Sequence, residues 1–374
     1  MTTRNAGAHR ILDANFNRAR EALRVMEDYA RFVLDDGGLT AEIKETRHAL
    51  ADCARRFDTG EAGADLHTLS PPTRGGTTPL ITSRDIVGDV GAEITTVHEG
   101  QRASAADVVV AAGKRLSEAL RSIEEYGKTI DPEFAAAIEQ LRYRGYEIER
   151  RLAMTIQARE RFGQVRLYVI ITESLCRGGW FETAEAVLRG GAEAIQLREK
   201  DLSDSELLGR ARRLAKLCGD HGALLIVNDR PDIAAASGAH GVHVGQDDLP
   251  VPAVRRIVPP TCVVGVSTHT IEQVRAAAAQ APDYIAVGPM FDSPTKPQAY
   301  IAGPTTLAEA RTITALPLVA IGGITNENAS HVVAAGTCCV CVCQDVIARA
   351  DVEAAVRALR ETLGRFAREA AKSR

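Results

Sequence analysis

Gln196, Arg198 and Lys200 occupy alternate positions where the apolar run 194–198 turns polar. In an extended chain that spacing points all three side chains the same way. Two cations with an amide donor suit an anion better than an apolar ligand. Asn228 and Asp229 close the next apolar run, and Asp248 follows Asp229 by 19 positions, beyond a third run that contains His243. Two carboxylates completed by phosphate oxygens and waters are a usual way for a protein to hold Mg2+. Ser267 ends a further run, and Lys296 adds a third cation after another. These residues together suit a diphosphate chelated to magnesium. Gly322 and Gly323 precede a helix expected from about Thr325, where backbone N–H groups and the helix dipole favour a second anion. Ser293 and Thr295 can add hydroxyl donors there.

Each feature also has a plainer reading. Asp229 fits an N-cap before a following helix. Asp247 or Asp248 fits a turn cap before Pro250, and Gly322-Gly323 fits a tight turn. His243 fits a core histidine with both nitrogens satisfied, and Gln196, Arg198 and Lys200 fit a solvated edge. The joint pattern favours a site, because all these residues fall at the same end of their apolar runs.

The runs themselves say what positions the site. Eight β-like segments can be marked, at 167–172, 194–198, 224–228, 241–244, 262–266, 284–287, 318–321 and 339–343. Helical stretches are expected between and after them, at 180–189, 203–218, 271–280, 305–314, 325–335 and 351–367. Eight βα units in roughly 205 residues are the arithmetic of a (β/α)8 TIM barrel, whose chemistry sits at the C-terminal ends of its strands. A doubly wound sheet is the alternative, and no G-x-G-x-x-G follows the first strand. The α/β barrel is expected over 161–374.

Residues 1–160 read differently, as an all-α, bundle-like domain. The stretch ANFNRAREALRVMEDYA at 14–30 aligns without gaps to AAGKRLSEALRSIEEYG at 111–127. A second helix follows each copy, so two duplicated helix pairs predict a four-helix bundle with an approximate internal two-fold. Repeated pairs such as Arg24–Glu27 and Arg121–Glu124 suit ion pairing along a helix surface, or an anion or partner site. The segment 58–107 between the repeats, rich in Gly, Thr and Pro, reads as an irregular connection. A homo-oligomer contact and a second ligand or regulatory site are both open roles for this half.

With net charge −4, the chain has no global field to recruit nucleic acid or an anionic membrane. No apolar stretch reaches the length of a membrane span, and the polar N-terminus has no signal-peptide pattern. A cytoplasmic enzyme of small phosphorylated molecules is expected. Eight cysteines are too few for a disulfide scaffold. Cys339, Cys341 and Cys343 alternate with Val340 and Val342, which predicts a buried strand in preference to a metal cluster.

The motifs LYVIIT, AIQLREK, LLIVNDRPDIAAASGAHGVHVGQDDLP, VVGVSTHT, DYIAVGPMFDSPTK and LVAIGGIT follow one another over 166–346. In order and spacing they resemble those of bacterial thiamine-phosphate synthases. The helical half resembles the extension that a subset of these synthases carries, as in cyanobacteria. The resemblance implies a transferase that condenses 4-amino-2-methyl-5-(diphosphooxymethyl)pyrimidine with thiazole phosphate, giving thiamine phosphate and pyrophosphate. It implies that Gln196, Arg198, Lys200, Asn228, Ser267 and Lys296 contact the pyrimidine diphosphate and that Asp229 and Asp248 bind Mg2+. Ser293, Thr295 and Gly323 would hold the thiazole phosphate, with backbone N–H groups of Cys343 and Gln344. The chain departs from the family pattern at Ser293, often threonine, and at 341–346, where a segment like V-x-V/I-S-A-I becomes CVCQDV with an acidic Asp345. A thiazole tautomerase on the same barrel and a non-catalytic sensor of phosphorylated ligands are the rival readings.

Overall fold

The computed structural model describes residues 3–34, 36–59, 80, 102–292, 300–337 and 339–372. The chain divides into two units, Met1–Ala153 and Met154–Arg374. The 58–107 connection lies largely outside the described residues.

The first unit is built from α1 (Thr3–Phe32), α2 (Gly37–Thr59), α3 (Ala105–Gly127) and the larger part of α4 (Pro132–Gly163). Leu23, Met26 and Ala30 from the first repeat and Leu120, Ile123 and Gly127 from the second are buried, as their helical spacing requires. Phe134 of α4 meets Phe16 of α1 and Phe57 of α2, with ring centroids 6.1 and 4.7 Å apart. The repeated charges pair along their own helices, Arg24 with Glu27 at 3.7 Å and Arg121 with Glu124 at 3.1 Å. Both glutamates are buried and also reach the next helix, Glu27 to Arg47 at 2.9 Å and Glu124 to Arg142 at 2.6 Å. The duplication therefore repeats a buried interhelical ion pair as well as a surface one.

The second unit is a closed barrel of eight parallel strands in chain order. They are β1 (Leu167–Ile171), β2 (Ala194–Leu197), β3 (Leu224–Asn228), β4 (Gly241–Val244), β5 (Val263–Thr268), β6 (Tyr284–Val287), β7 (Leu318–Ile321) and β8 (Cys339–Val342). Closure comes from β1 against β8, with Tyr168 opposite Cys341. Alternation decides which face each residue buries. Val169, Ile195, Val227, Val264 and Val340 join the outer core under the helices, whereas Tyr168, Ile226, Tyr284, Val319, Cys339 and Cys341 fill the interior. The cysteine-rich segment thus forms a core strand, and all four of its residues are buried.

The intervening helices include α5 (Trp180–Arg189), α6 (Asp204–Asp220) and α7 (Pro231–Ser237). A Ser203/Glu206 capping box starts α6, and Gly238, at φ +74°, ends α7 in a left-handed turn. After α8 (Val251–Val254), α9 (Ile271–Ala278) and α10 (Gly303–Ile313) come α11 (Ala329–Ala334), α12 (Gln344–Ile347) and α13 (Val352–Lys372). The helix expected from Thr325 begins four residues later. Asn328 Oδ1 accepts the Thr325 N–H at 2.8 Å and its Nδ2 donates to Gly323 O at 2.9 Å, which holds 323–328 as a capped loop.

The end of α4 closes the N-terminal mouth of the barrel. Phe162 is buried and stacks on Tyr284, with centroids 4.0 Å apart. Asp283, only 2% exposed, accepts from Arg159 at 2.7 Å, Arg255 at 2.5 Å and the Val264 N–H at 2.7 Å. Removing one partner of a buried ion pair leaves the other charge uncompensated, so Asp283→Ala is expected to cost about 3–5 kcal/mol. Removing Glu353 from its surface pair with Arg189 should cost less than about 1 kcal/mol. Urea unfolding of the two variants measures the difference, and equal losses would show that Asp283 is not the clamp.

Candidate active site

At the C-terminal ends of the strands the barrel opens into a cavity of about 690 Å3. Gln196, Arg198, Asn228, Ser267, Gly323, Cys343 and Gln344 all line it. They come from the ends of β2, β3, β5, β7 and β8, so the fold brings together residues separated by up to 148 positions (344 − 196). Arg198 and Lys200 lie just beyond β2, which ends at Leu197. Arg198 still faces the cavity, whereas Lys200 is exposed and is not part of its wall. Ser293, Thr295 and Lys296 lie outside the described residues.

Asp229 follows β3 in a left-handed conformation, φ +61°, and its N–H donates to His243 O at 2.8 Å. Aspartate tolerates that backbone better than most residues. It is not the N-cap of α7, a place taken by Arg230 without a side-chain hydrogen bond. Asp248 does cap its own turn, accepting the Gly245 N–H on Oδ2 at 2.6 Å. The two carboxyls meet across the strand ends. Burial, reinforced by contact with Asp248, pushes the Asp229 carboxyl above its ordinary pKa, and Lys200 and Arg198 oppose the shift. A buried carboxyl whose charge is opposed by a second carboxylate in contact with it suits a divalent cation, which would relieve the repulsion. Among the described residues no group of three or more His, Cys, Asp or Glu side chains forms a protein-only cage. Mg2+ needs none when phosphate oxygens and waters complete its shell.

Beyond β7, Gly322 and Gly323 have φ of +94° and +66°. A Cβ on Gly323 would stand 2.5 Å from the carbonyl oxygens of Phe291 and Asp292. Glycine is therefore required both by the turn and by the loop after β6 that lies against it. Asp345 is on the same wall, and its charge is paired: Arg349, also on the wall, donates to Asp345 Oδ1 at 2.6 Å. The acid at the end of β8 thus comes with its own guanidinium.

Sequence reasoning missed part of the cavity. His269 lines it and its Nδ1 lies 2.6 Å from Gly288 O; it stands two residues past Ser267, beyond the end of β5. His243 is the satisfied core histidine of the plainer reading, with Nδ1 2.9 Å from Tyr284 Oη and Nε2 2.7 Å from Ser267 Oγ. Burial pushes its imidazole down to about 4. The signal for its partners was present in the sequence: tyrosines stand in the otherwise aliphatic runs LYVII and YIAV.

Comparison with known proteins gives two family matches. The family described as "Thiamine monophosphate synthase" matches residues 167–346, and the ThiD2 family matches residues 10–151. A thiamine-phosphate synthase of Rhodopirellula baltica is 40% identical over 336 residues, covering 87% of this chain and 85% of the relative. One of Thermosynechococcus vestitus is 39% identical over 352 residues, covering 94% and 93%. Among solved structures, a thiamine phosphate pyrophosphorylase from Pyrococcus furiosus aligns with a TM-score of 0.51 at 31% identity. That match covers 56% of this chain and 98% of the other.

Proposed function

Because the chain belongs to the thiamine-phosphate synthase family, enzymes of the transferase class, we propose a specific reaction for the cavity. It joins the methylene carbon of an aminopyrimidine methyl diphosphate to the ring nitrogen of thiazole phosphate and releases pyrophosphate. The observation that carries this reading is the convergence of Arg198, Asn228 and Ser267 on the cavity lining, with Asp229, the residue after Asn228, in contact with Asp248 and within the field of Arg198.

The thiazole nitrogen already carries a lone pair, so the attack needs no general base. The barrier lies in breaking the bond from the methylene carbon to the diphosphate oxygen, and an electron-rich aminopyrimidine can carry the positive charge left behind. The task for the chain is to stabilise the departing negative charge in a preorganised site. Arg198 does this from the cavity wall, and Lys200 and Lys296 complete the set of cations. Asp229 and Asp248 would hold Mg2+, which when bound neutralises the diphosphate as it leaves. Gly323 and the Cys343–Gln344 backbone, with Ser293 and Thr295, keep the thiazole phosphate in line with the reacting carbon. Free cysteines at the seven described positions suit a reducing, cytoplasmic compartment.

Inorganic pyrophosphate tests the diphosphate site without turnover. In calorimetric titration, Mg2+ is expected to tighten its binding by roughly tenfold or more, and pyrophosphate to tighten Mg2+ binding by the same factor. Equal affinity with and without Mg2+ would contradict the shared site.

A further inference from the structure

A chain of hydrogen bonds runs through the barrel interior and reaches the cavity wall at Gln196, His243 and Ser267. Gln196 Nε2 donates to Tyr168 Oη at 2.6 Å. Tyr168 Oη lies 3.3 Å from Tyr284 Oη, which lies 2.9 Å from His243 Nδ1, and His243 Nε2 lies 2.7 Å from Ser267 Oγ. Gln196, Tyr168, Tyr284 and His243 are all buried, and both ends, Gln196 and Ser267, line the cavity.

The chemistry of one end sets the direction of the whole chain. An amide nitrogen only donates, so Tyr168 accepts from Gln196, and its own buried proton is satisfied by donating to its other partner, Tyr284. Tyr284 then donates to His243 Nδ1, which must be the bare nitrogen. His243 carries its proton on Nε2 and donates it to Ser267. This leaves Gln196 Oε1 as an acceptor and the Ser267 hydroxyl as a donor at the cavity surface. Stacking fixes where the Tyr284 hydroxyl and the His243 nitrogens stand. Tyr284 is stacked between Phe162 and His243, with centroids 4.0 and 5.5 Å away.

We propose that Tyr168, Tyr284 and His243 are positioning residues that fix the donor–acceptor order shown to the pyrimidine and so select an aminopyrimidine. The proposal rests on the functional reading above. An aminopyrimidine edge offers an amino donor beside a ring-nitrogen acceptor, which complements Gln196 Oε1 and Ser267 Oγ–H. The 4-oxo analogue offers the reverse order, and a site that hydrogen-bonds a polar edge discriminates strongly against a mismatched one.

The test has two independent readouts on the full chain. Imidazole 15N shifts, assigned with His243→Gln, are expected to show His243 in the Nε2–H tautomer. The Nδ1–H tautomer would overturn the proposal. Tyr284→Phe keeps the stacked ring and removes only the hydroxyl. It should raise KM for the aminopyrimidine diphosphate about tenfold and lower the preference over its 4-oxo analogue about tenfold. KM for thiazole phosphate should not follow. A folded variant with unchanged KM and selectivity would overturn the proposal as well. If Tyr284→Phe does not fold, Tyr168→Phe gives the same kinetic comparison. A wild-type chain that uses neither pyrimidine would refute the functional reading, and that failure is separate because the tautomer is read without turnover.

Discussion

Asp229→Asn and Asp248→Asn are each expected to lower kcat/KM for the pyrimidine diphosphate by roughly 10²–10³-fold at limiting Mg2+, the scale seen when one preorganised charge-stabilising group is removed. Asparagine is the informative replacement at both places. At Asp229 the backbone is left-handed, φ +61°, which asparagine accepts and alanine resists. At Asp248 the Oδ2 atom accepts the Gly245 N–H, and an asparagine oxygen can keep that bond. Both variants therefore remove charge while leaving the local structure in place. Circular dichroism and thermal unfolding should match the wild-type chain. Raising Mg2+ should recover part of the activity by mass action. Wild-type turnover by either variant at limiting Mg2+ would remove the metal assignment.

A second large effect on stability, beside that of Asp283, is expected at Gly265, in the middle of β5. A Cβ there would sit 2.0 Å from Cζ and 2.4 Å from Oη of Tyr284. That ring is fully buried between Phe162 and His243 and cannot step aside without breaking the stack. Overpacking of this kind typically costs about 1–3 kcal/mol and occasionally more, and Gly265→Ala should reach or exceed the upper end. Chemical denaturation measures the loss. A variant as stable as wild type would mean that the Tyr284 ring has room to move, and the buried hydrogen-bond chain would lose its rigid frame.

The barrel was legible because its strands carry their pattern locally. Runs such as LLIVN, GVHV and YIAV are short, apolar and bounded by turn residues, and they become β3, β4 and β6 with the expected ends. The cysteine alternation was legible for the same reason, since a period of two says which face each side chain takes. The polar strand ends marked one mouth of the barrel, and Gln196, Arg198, Asn228, Ser267 and Gly323 meet there.

Contacts between residues distant in sequence were not legible. Tyr168 and Tyr284 are 116 positions apart, and their pairing exists only because barrel closure carries both hydroxyls into one interior. The start of α11 was misplaced for a local reason. Asn328 competes for the backbone groups that a helix from Thr325 would have used.

The most direct test of the synthase assignment is to supply the purified 374-residue chain with the aminopyrimidine diphosphate, thiazole phosphate and Mg2+, and to quantify both products. The expected result is equimolar thiamine phosphate and pyrophosphate, formed only when all three are present. Rearranged thiazole phosphate with no pyrophosphate, or binding of both phosphorylated compounds with no product, would contradict it.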